Sequence, residues 1–415
     1  MKSSLPLFLL LLLAAPSFAA SPSDDAKKLV LDNNRFACDL YAKLQGTDSD
    51  NLFFSPYSIS TALGMTLAGA SGETKKQMAT VLHFDLSQER LHPALKALAE
   101  SLKAGVGKQA YELRIANALW GQKGYEFKKP FLDLTVANYG ADLKLVDFKK
   151  GAEDARKTIN AWVEKETQDR IKELLKPGIL DDQTRLVLTN AIYFKGTWRY
   201  QFKVADTRDE SFYLSDKPRK NEALRPEVKV PFMSQTGRFR YLESNAVKIL
   251  ELPYGAHAKD SDQQLSMLVL LPRQETSADL SAVEKSLTAD AIQKWAGEMK
   301  TVEVHVSIPK FQMTCYFSLV DTLKAMGMKD AFGDKADFSG MSSAKPPLYI
   351  SAVVHKAFVD VNEEGTEAAA ATGVAVKTLA DYGEWFRADH PFLFLIRDNA
   401  TGSILFLGRC LNPTK

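Results

Sequence analysis

One segment near the C-terminus has residue types and a spacing suited to being acted upon rather than to catalysing. It runs from Asn362 to Pro391 between two strand-like stretches. A structureless run of that length is rare in a compact domain and is usually functional. Read with a period of two, Thr366, Ala368, Ala370, Thr372, Val374, Val376 and Thr378 share one face, all small or β-branched and none charged. Glu367, Ala369, Ala371, Gly373, Ala375 and Lys377 share the other, which carries both charges. That is a strand with one side ready for burial. The alanine run suits a helix equally well. An ordinary exposed helix or a flexible linker therefore stays open on this segment alone. Such ambiguity is what a segment needs if it is to be loop, helical turn and strand at different times.

Catalytic and metal-binding patterns are missing elsewhere. The chain has six histidines, no Gly-x-Ser-x-Gly elbow and no His-Glu-x-x-His, which argues against a hydrolase. Cys38, Cys315 and Cys410 fit no zinc spacing and can form at most one pair. We read them as buried small hydrophobes or a free thiol. No metal or cofactor is expected.

The elements that must position the segment alternate between helical and strand periods. Helices are expected from Ala26 to Lys43, from Pro56 to about Gly69, after Ser71, from Leu91 to Lys103, from Asp154 to Glu166, from Ala282 to Lys300 and from Ser318 to Met326. Ser55-Pro56 starts the second of these, serine as N-cap and proline in the first turn. Strands are expected at Asn51 to Phe54, Tyr111 to Trp120, Arg185 to Lys195, Val228 to Phe232, Arg238 to Leu242, Val247 to Leu252, Leu265 to Leu271, Val302 to Pro309, Leu348 to Val361, Phe392 to Ile396 and Ile404 to Leu407. Asp398 to Gly402 is hairpin-turn chemistry between the last two. Helices dominate early and strands late, with no break in composition, which argues for an α+β fold in one domain.

Of the 415 residues, 45% are hydrophobic and 25% charged, and 53 basic against 51 acidic residues leave a net charge of +2. Nothing in that balance asks for nucleic acid or an anionic membrane. Lys2, the apolar run from Leu5 to Ala15 and Ser17-Phe18-Ala19 read as a signal peptide cut after Ala19. Residues 1–19 would then be removed and 20–415 would form the secreted domain, extracellular or, in a bacterium, periplasmic.

Several motifs in order resemble the serpin family across nearly the whole mature chain. Glu363 to Ala371 looks like the hinge of inhibitory serpins, and Phe386 to Ile396 like the family's C-terminal signature. Asn51 to Ser58, Asn190 with Phe194 to Trp198, Asp337 to Met341 and Val354 to Ala357 also fit. The resemblance implies an α+β fold with about nine helices and three β-sheets, a large five-stranded central sheet A among them. It also implies an exposed reactive-centre loop over about 363–389. A protease attacks that loop, and the cleaved loop enters the main sheet as a new strand. The partner would be a serine protease held as a covalent acyl-enzyme by a monomer, with no nucleic acid and no membrane involved.

The family pattern carries over residue by residue. The hinge is Gly365, Thr366, Glu367, Ala368, Ala369, Ala370 and Ala371. Counting from it puts the reactive bond at Leu379–Ala380; counting back from Pro391 gives Ala380–Asp381. Leu379 suits a chymotrypsin-like pocket, whereas Lys377 would suit a trypsin-like one. Ser55, Ser58, Asn190 and His355 match a hydrogen-bonded cluster under the sheet, the shutter. Glu363, Lys310 and Trp198 match the top of the sheet, the breach. Thirteen residues from Thr366 to Thr378 would span roughly 43 Å, about the diameter implied by a radius of gyration near ~21 Å. A non-inhibitory serpin acting as carrier or chaperone, and cross-class inhibition of a cysteine protease, are the alternatives. The small hinge residues favour inhibition.

Overall fold

The structure, a computed structural model, describes residues 24–46, 50–104, 111–140, 142–214, 226–255, 265–273, 279–345, 347–366 and 383–415. Its first part is helical. Helix α1 (Asp24–Leu44) is followed by the short strand β1 (Leu52–Phe54), then α2 (Pro56–Leu67), α3 (Gly72–Val81) and α4 (Gln88–Ala104). Ser55 caps α2 through its hydroxyl, which accepts from the Ser58 amide, and Pro56 opens the first turn. Strand β2 (Tyr111–Gln122), helix α5 (Lys129–Tyr139), strand β3 (Lys144–Val146), helix α6 (Phe148–Glu166) and strand β4 (Leu186–Thr197) come next.

The second part is strand-rich. It runs β5 (Arg208–Tyr213), β6 (Glu227–Glu243), β7 (Val247–Pro253) and β8 (Leu265–Pro272), then α7 (Leu280–Ser286), α8 (Ala289–Glu298), β9 (Lys300–Pro309), β10 (Phe311–Ser318) and α9 (Val320–Met326). The chain ends with β11 (Ala352–Val361), the two-residue β12 (Gly365–Thr366), β13 (Glu384–Arg387), β14 (Phe392–Asp398) and β15 (Ile404–Cys410).

The main sheet has the order β10-β11-β12-β4-β2-β3. Its five long-range strands match the expected sheet A, with the stub β12 between β11 and β4. The two smaller sheets anticipated from the sequence are joined. They form one nine-stranded network because β6 runs unbroken through both, pairing with β5, β7 and β9. The separate strands expected at Val228 to Phe232 and Arg238 to Leu242 are therefore the two ends of β6. Strand β9, antiparallel to β6 from Phe232 to Tyr241, carries the strand across the gap between them, where neither β5 nor β7 reaches. The helix expected from Ala282 to Lys300 is divided: Thr288 caps α8 by accepting from the Ala291 amide, and Lys300 already belongs to β9. Strand β11 starts at Ala352, four residues later than expected.

The largest apolar cluster lies between the two sheets and under α1 to α4. A second cluster fills the other face of the main sheet. There Ala116, Ala118, Val187, Ala191, Ala352 and Val354 meet Ile159 and Val163 of α6. Cys38 and Cys410 are buried, Cys315 is half-buried, and all three are free thiols. No described helix is long and apolar enough to cross a membrane.

Candidate functional site

The site is the seam between β11 and β4, the two strands that flank β12. They run parallel and pair directly from Ala352↔Val187 to Phe358↔Tyr193. Above that, the direct pairing stops and β12 takes over. Thr366 pairs with Val361 on one side and Gly196 on the other, and Gly365 pairs with Thr197.

The middle of the seam holds a row of polar side chains in register, His355↔Asn190↔Asn117. His355 and Asn190 are buried, Asn117 is half-buried, and each finds partners. The Ser55 amide donates to His355 Nε2 at 3.1 Å. That nitrogen is therefore the bare one, so Nδ1 carries the proton and donates to Asn190 Oδ1. Asn190 Nδ2 donates to Ser58 Oγ at 2.7 Å and to Asn117 Oδ1. Ser58 Oγ donates to Asn117 Oδ1 at 2.9 Å, while Asn117 Nδ2 donates back to the Ser58 carbonyl at 3.0 Å. Ser55 Oγ reaches the Leu405 carbonyl of β15 at 2.6 Å. Helix α2 is thereby tied to three strands of one sheet and one of the other. Burial pushes the His355 pKa down to about 3, against a smaller opposing effect of its bond to Asn190. The imidazole stays neutral, as its tautomer requires.

At the upper end, β11 turns through Asn362 to Gly365 into β12. The Asn362 amide donates to the Gly365 carbonyl and the Gly365 amide to the Asn362 carbonyl. Trp198 pins the turn twice: its indole N–H donates to the Asn362 carbonyl at 2.9 Å, and its amide to the Glu364 carbonyl at 2.8 Å. Its ring stacks on Tyr254 at 4.5 Å. The Tyr254 hydroxyl meets Thr366 Oγ1 at 2.8 Å. Glu363, 5% exposed, takes Lys310 Nζ on one oxygen at 2.8 Å and Thr207 Oγ1 on the other at 2.9 Å. Burial would raise its pKa, but Lys310, its own amide and Thr207 together hold it below the usual carboxylate range.

Gly365 is fixed by space as well as by conformation. Its φ is +155°, and a Cβ there would lie 1.9 Å from the Gly196 carbonyl oxygen. A glycine is the only residue that can start the chain into this gap. Thr366 is fully buried, as expected of the first residue on the apolar face.

A strap of chain, residues 167–185, crosses the seam on its outer side. Ile171, Leu174 and Leu175 pack into the second core. The Lys172 carbonyl accepts from Lys356 of β11 at 2.7 Å, and the Arg170 guanidinium lies 5.8 Å from the ring of Tyr193 on β4. Gln168, Asp169 and Glu173 all have positive φ, at 51°, 62° and 49°.

The sequence-derived residues fall into three groups. Ser55, Ser58, Asn190 and His355 are brought together, as are Glu363, Lys310 and Trp198 with Gly365 and Thr366. Glu367, Ala368, Ala369, Ala370, Ala371, Leu379 and Ala380 lie outside the described residues, as does the segment 1–19. Within 363–389, residues 365–366 and 384–387 are strands. Asn117, Thr207 and Tyr254 were missed. Only Asn117 carried a signal, as the one amide in the apolar alternation Leu113, Ile115, Asn117, Leu119.

A family model described as Serpin (serine protease inhibitor) matches residues 31–413. The leukocyte elastase inhibitor of Sus scrofa is 42% identical over 395 residues, covering 93% of this chain and 100% of that protein. Serpin48 of the insect Tenebrio molitor superimposes with a TM-score of 0.80 at 33% identity, over 93% of this chain and 98% of that one. Human thyroxine-binding globulin complexed with thyroxine gives 0.82 at 30% identity, over 94% and 100%. Matched by that model over residues 31–413 and 42% identical to a relative whose whole length it covers, this chain belongs to the serpin family.

Proposed function

We propose that this serpin is an exported suicide-substrate inhibitor of a chymotrypsin-type serine protease. The observation that carries the reading is β12: Gly365 and Thr366 already sit between β11 and β4, in antiparallel register with β4. Extending that register through Thr378 adds a strand at the seam. The gain is on the order of a dozen backbone hydrogen bonds at about 1 kcal/mol net each. Burial of the Thr366, Ala368 and Ala370 face adds to it.

The chemistry precedes the insertion. The protease serine oxygen attacks the Leu379 carbonyl, the Leu379–Ala380 bond breaks, and the Ala380 nitrogen leaves with a proton. Leu379 is then an ester on the protease. Loop insertion carries that ester roughly 43 Å toward the far end of the sheet, where deacylation fails. The shutter row and the breach residues hold the seam closed until then. The relatives named leukocyte elastase inhibitor and the apolar Leu379 support a protease with an apolar specificity pocket. The apolar run from Leu5 to Ala15 supports export, and N-terminal sequencing of protein recovered from the medium should begin at Ala20.

Incubation with a chymotrypsin-type protease tests the reading. A covalent complex should survive on a denaturing gel, and mass spectrometry of the released peptide should start at Ala380. Ala370→Arg places a charge on the inserting face, at several kcal/mol when buried, and should convert the inhibitor into a substrate. A full yield of complex from Ala370→Arg would refute the face assignment. The likeness to thyroxine-binding globulin favours a second reading, a carrier without inhibition. A loop-cleaved protein that melts no higher than the intact one would favour it.

A further inference from the structure

Trp385 is the most exposed large aromatic side chain among the described residues, at 60%. It does not owe that exposure to a loose strand. Strand β13 pairs with β9 in parallel register, and its neighbours Phe386 and Ala388 are fully buried. The indole stacks on His305 with ring centroids 4.5 Å apart and planes 23° apart. His305 is itself in register with Thr236 of β6, whose hydroxyl meets Nδ1 at 2.9 Å. At Gly383 a Cβ would lie 2.9 Å from His305 Nε2. The chain thus leaves the bait segment, closes over the imidazole and presents a large aromatic face in a fixed orientation. Rigid, exposed tryptophans are the commonest anchors of protein interfaces.

Chain length says what covers it. Five residues lie between Leu379 and Trp385, so the two are at most ~22 Å apart along the chain. A protease of about 240 residues has a radius of gyration near ~18 Å. With its serine at the Leu379–Ala380 bond, its body must overhang Trp385. Glu384, its neighbour in β13, points to the opposite face of the strand, so what a protease loop would meet here is the aromatic face, which suits an arginine or lysine.

We propose that Trp385, seated on His305, is an auxiliary docking point for the target protease on the leaving-group side of the reactive bond. It sets how fast the protease associates, and not how the acyl-enzyme partitions. This rests on the inhibitory reading, so the test uses two proteases: an active chymotrypsin-type enzyme and its Ser→Ala variant, which binds the loop without cleaving it. Trp385→Ala should slow association with the active enzyme at least tenfold and weaken binding to the inactive one to match. Its covalent yield and melting temperature should be unchanged, and Trp385→Phe should recover most of the loss. Equal affinity of the wild type and Trp385→Ala for the inactive protease would overturn the proposal, whatever the active enzyme does. A wild type that never forms a covalent complex would sink the inhibitory reading alone, and the inactive protease would still report on Trp385.

Discussion

The two ends of the β11–β4 seam are built on opposite principles. In the middle and below, the strands touch directly, and His355, Asn190, Asn117, Ser55 and Ser58 satisfy one another inside the protein. Above Phe358 and Tyr193 the strands no longer pair, and a two-residue stub holds them apart. A buried network costs a great deal to half-break, because each abandoned donor or acceptor loses its partner without gaining water. The two-residue wedge at the top has only three strand pairings, and side-chain bonds from Trp198 and Tyr254 hold it in place. Under the proposed mechanism the seam would open from the top, the end at which a cleaved loop would arrive.

Gly365→Val strikes the wedge and should have the largest effect. Its side chain would collide with the backbone at Gly196, keep the hinge out of the seam, and cut the yield of covalent complex at least tenfold on a denaturing gel. His355→Ala strikes the closed part. It leaves the buried Ser55 amide and Asn190 oxygen unpaired and should cost about 3 kcal/mol, read from urea unfolding. Acid probes the same group. With a folded pKa of about 3 against an ordinary 6.5, His355 binds a proton more readily in the unfolded chain. Its contribution is complete above pH 6.5 and falls by about 1.4 kcal/mol per pH unit on the way down to pH 3. By pH 5 the loss from this group is about 2 kcal/mol. Buried His92, lowered to about 4, acts in the same direction, so the His355 share is the difference in slope between wild type and His355→Ala. Lys310→Ala should have the smallest effect, about 1 kcal/mol, since Lys310 is 37% exposed. Hydrogen exchange should quicken at the Thr366 amide and stay slow along Asn190; uniform quickening would contradict the separation of the two ends.

Much of this was readable beforehand. Ser55-Pro56 announced α2, whereas of the small-residue alternation that starts at Thr366 only Thr366 itself lies within the described residues, where it is buried. What stayed hidden depends on partners distant in sequence. Asn117 looks like an interruption until Ser58 and Asn190 close on it. Strand β6 looks like two until β5, β7 and β9 line up along it. Helix α5 and strands β5, β10 and β13 were not expected, because short or mixed-polarity segments owe their form to what they pack against. Thr207 and Tyr254 meet the hinge through contacts that no local pattern encodes.

The strap over the seam bears on whether the molecule can be reset. Gln168, Asp169 and Glu173 are held in left-handed backbone, at roughly 1 kcal/mol or more for each side-chain-bearing residue. A strand passing beneath would have to lift the strap and let those residues relax into ordinary geometry. Putting it back would mean forcing three dihedral pairs uphill against a filled sheet. Under the proposed insertion, the strap would make the change a ratchet that turns once.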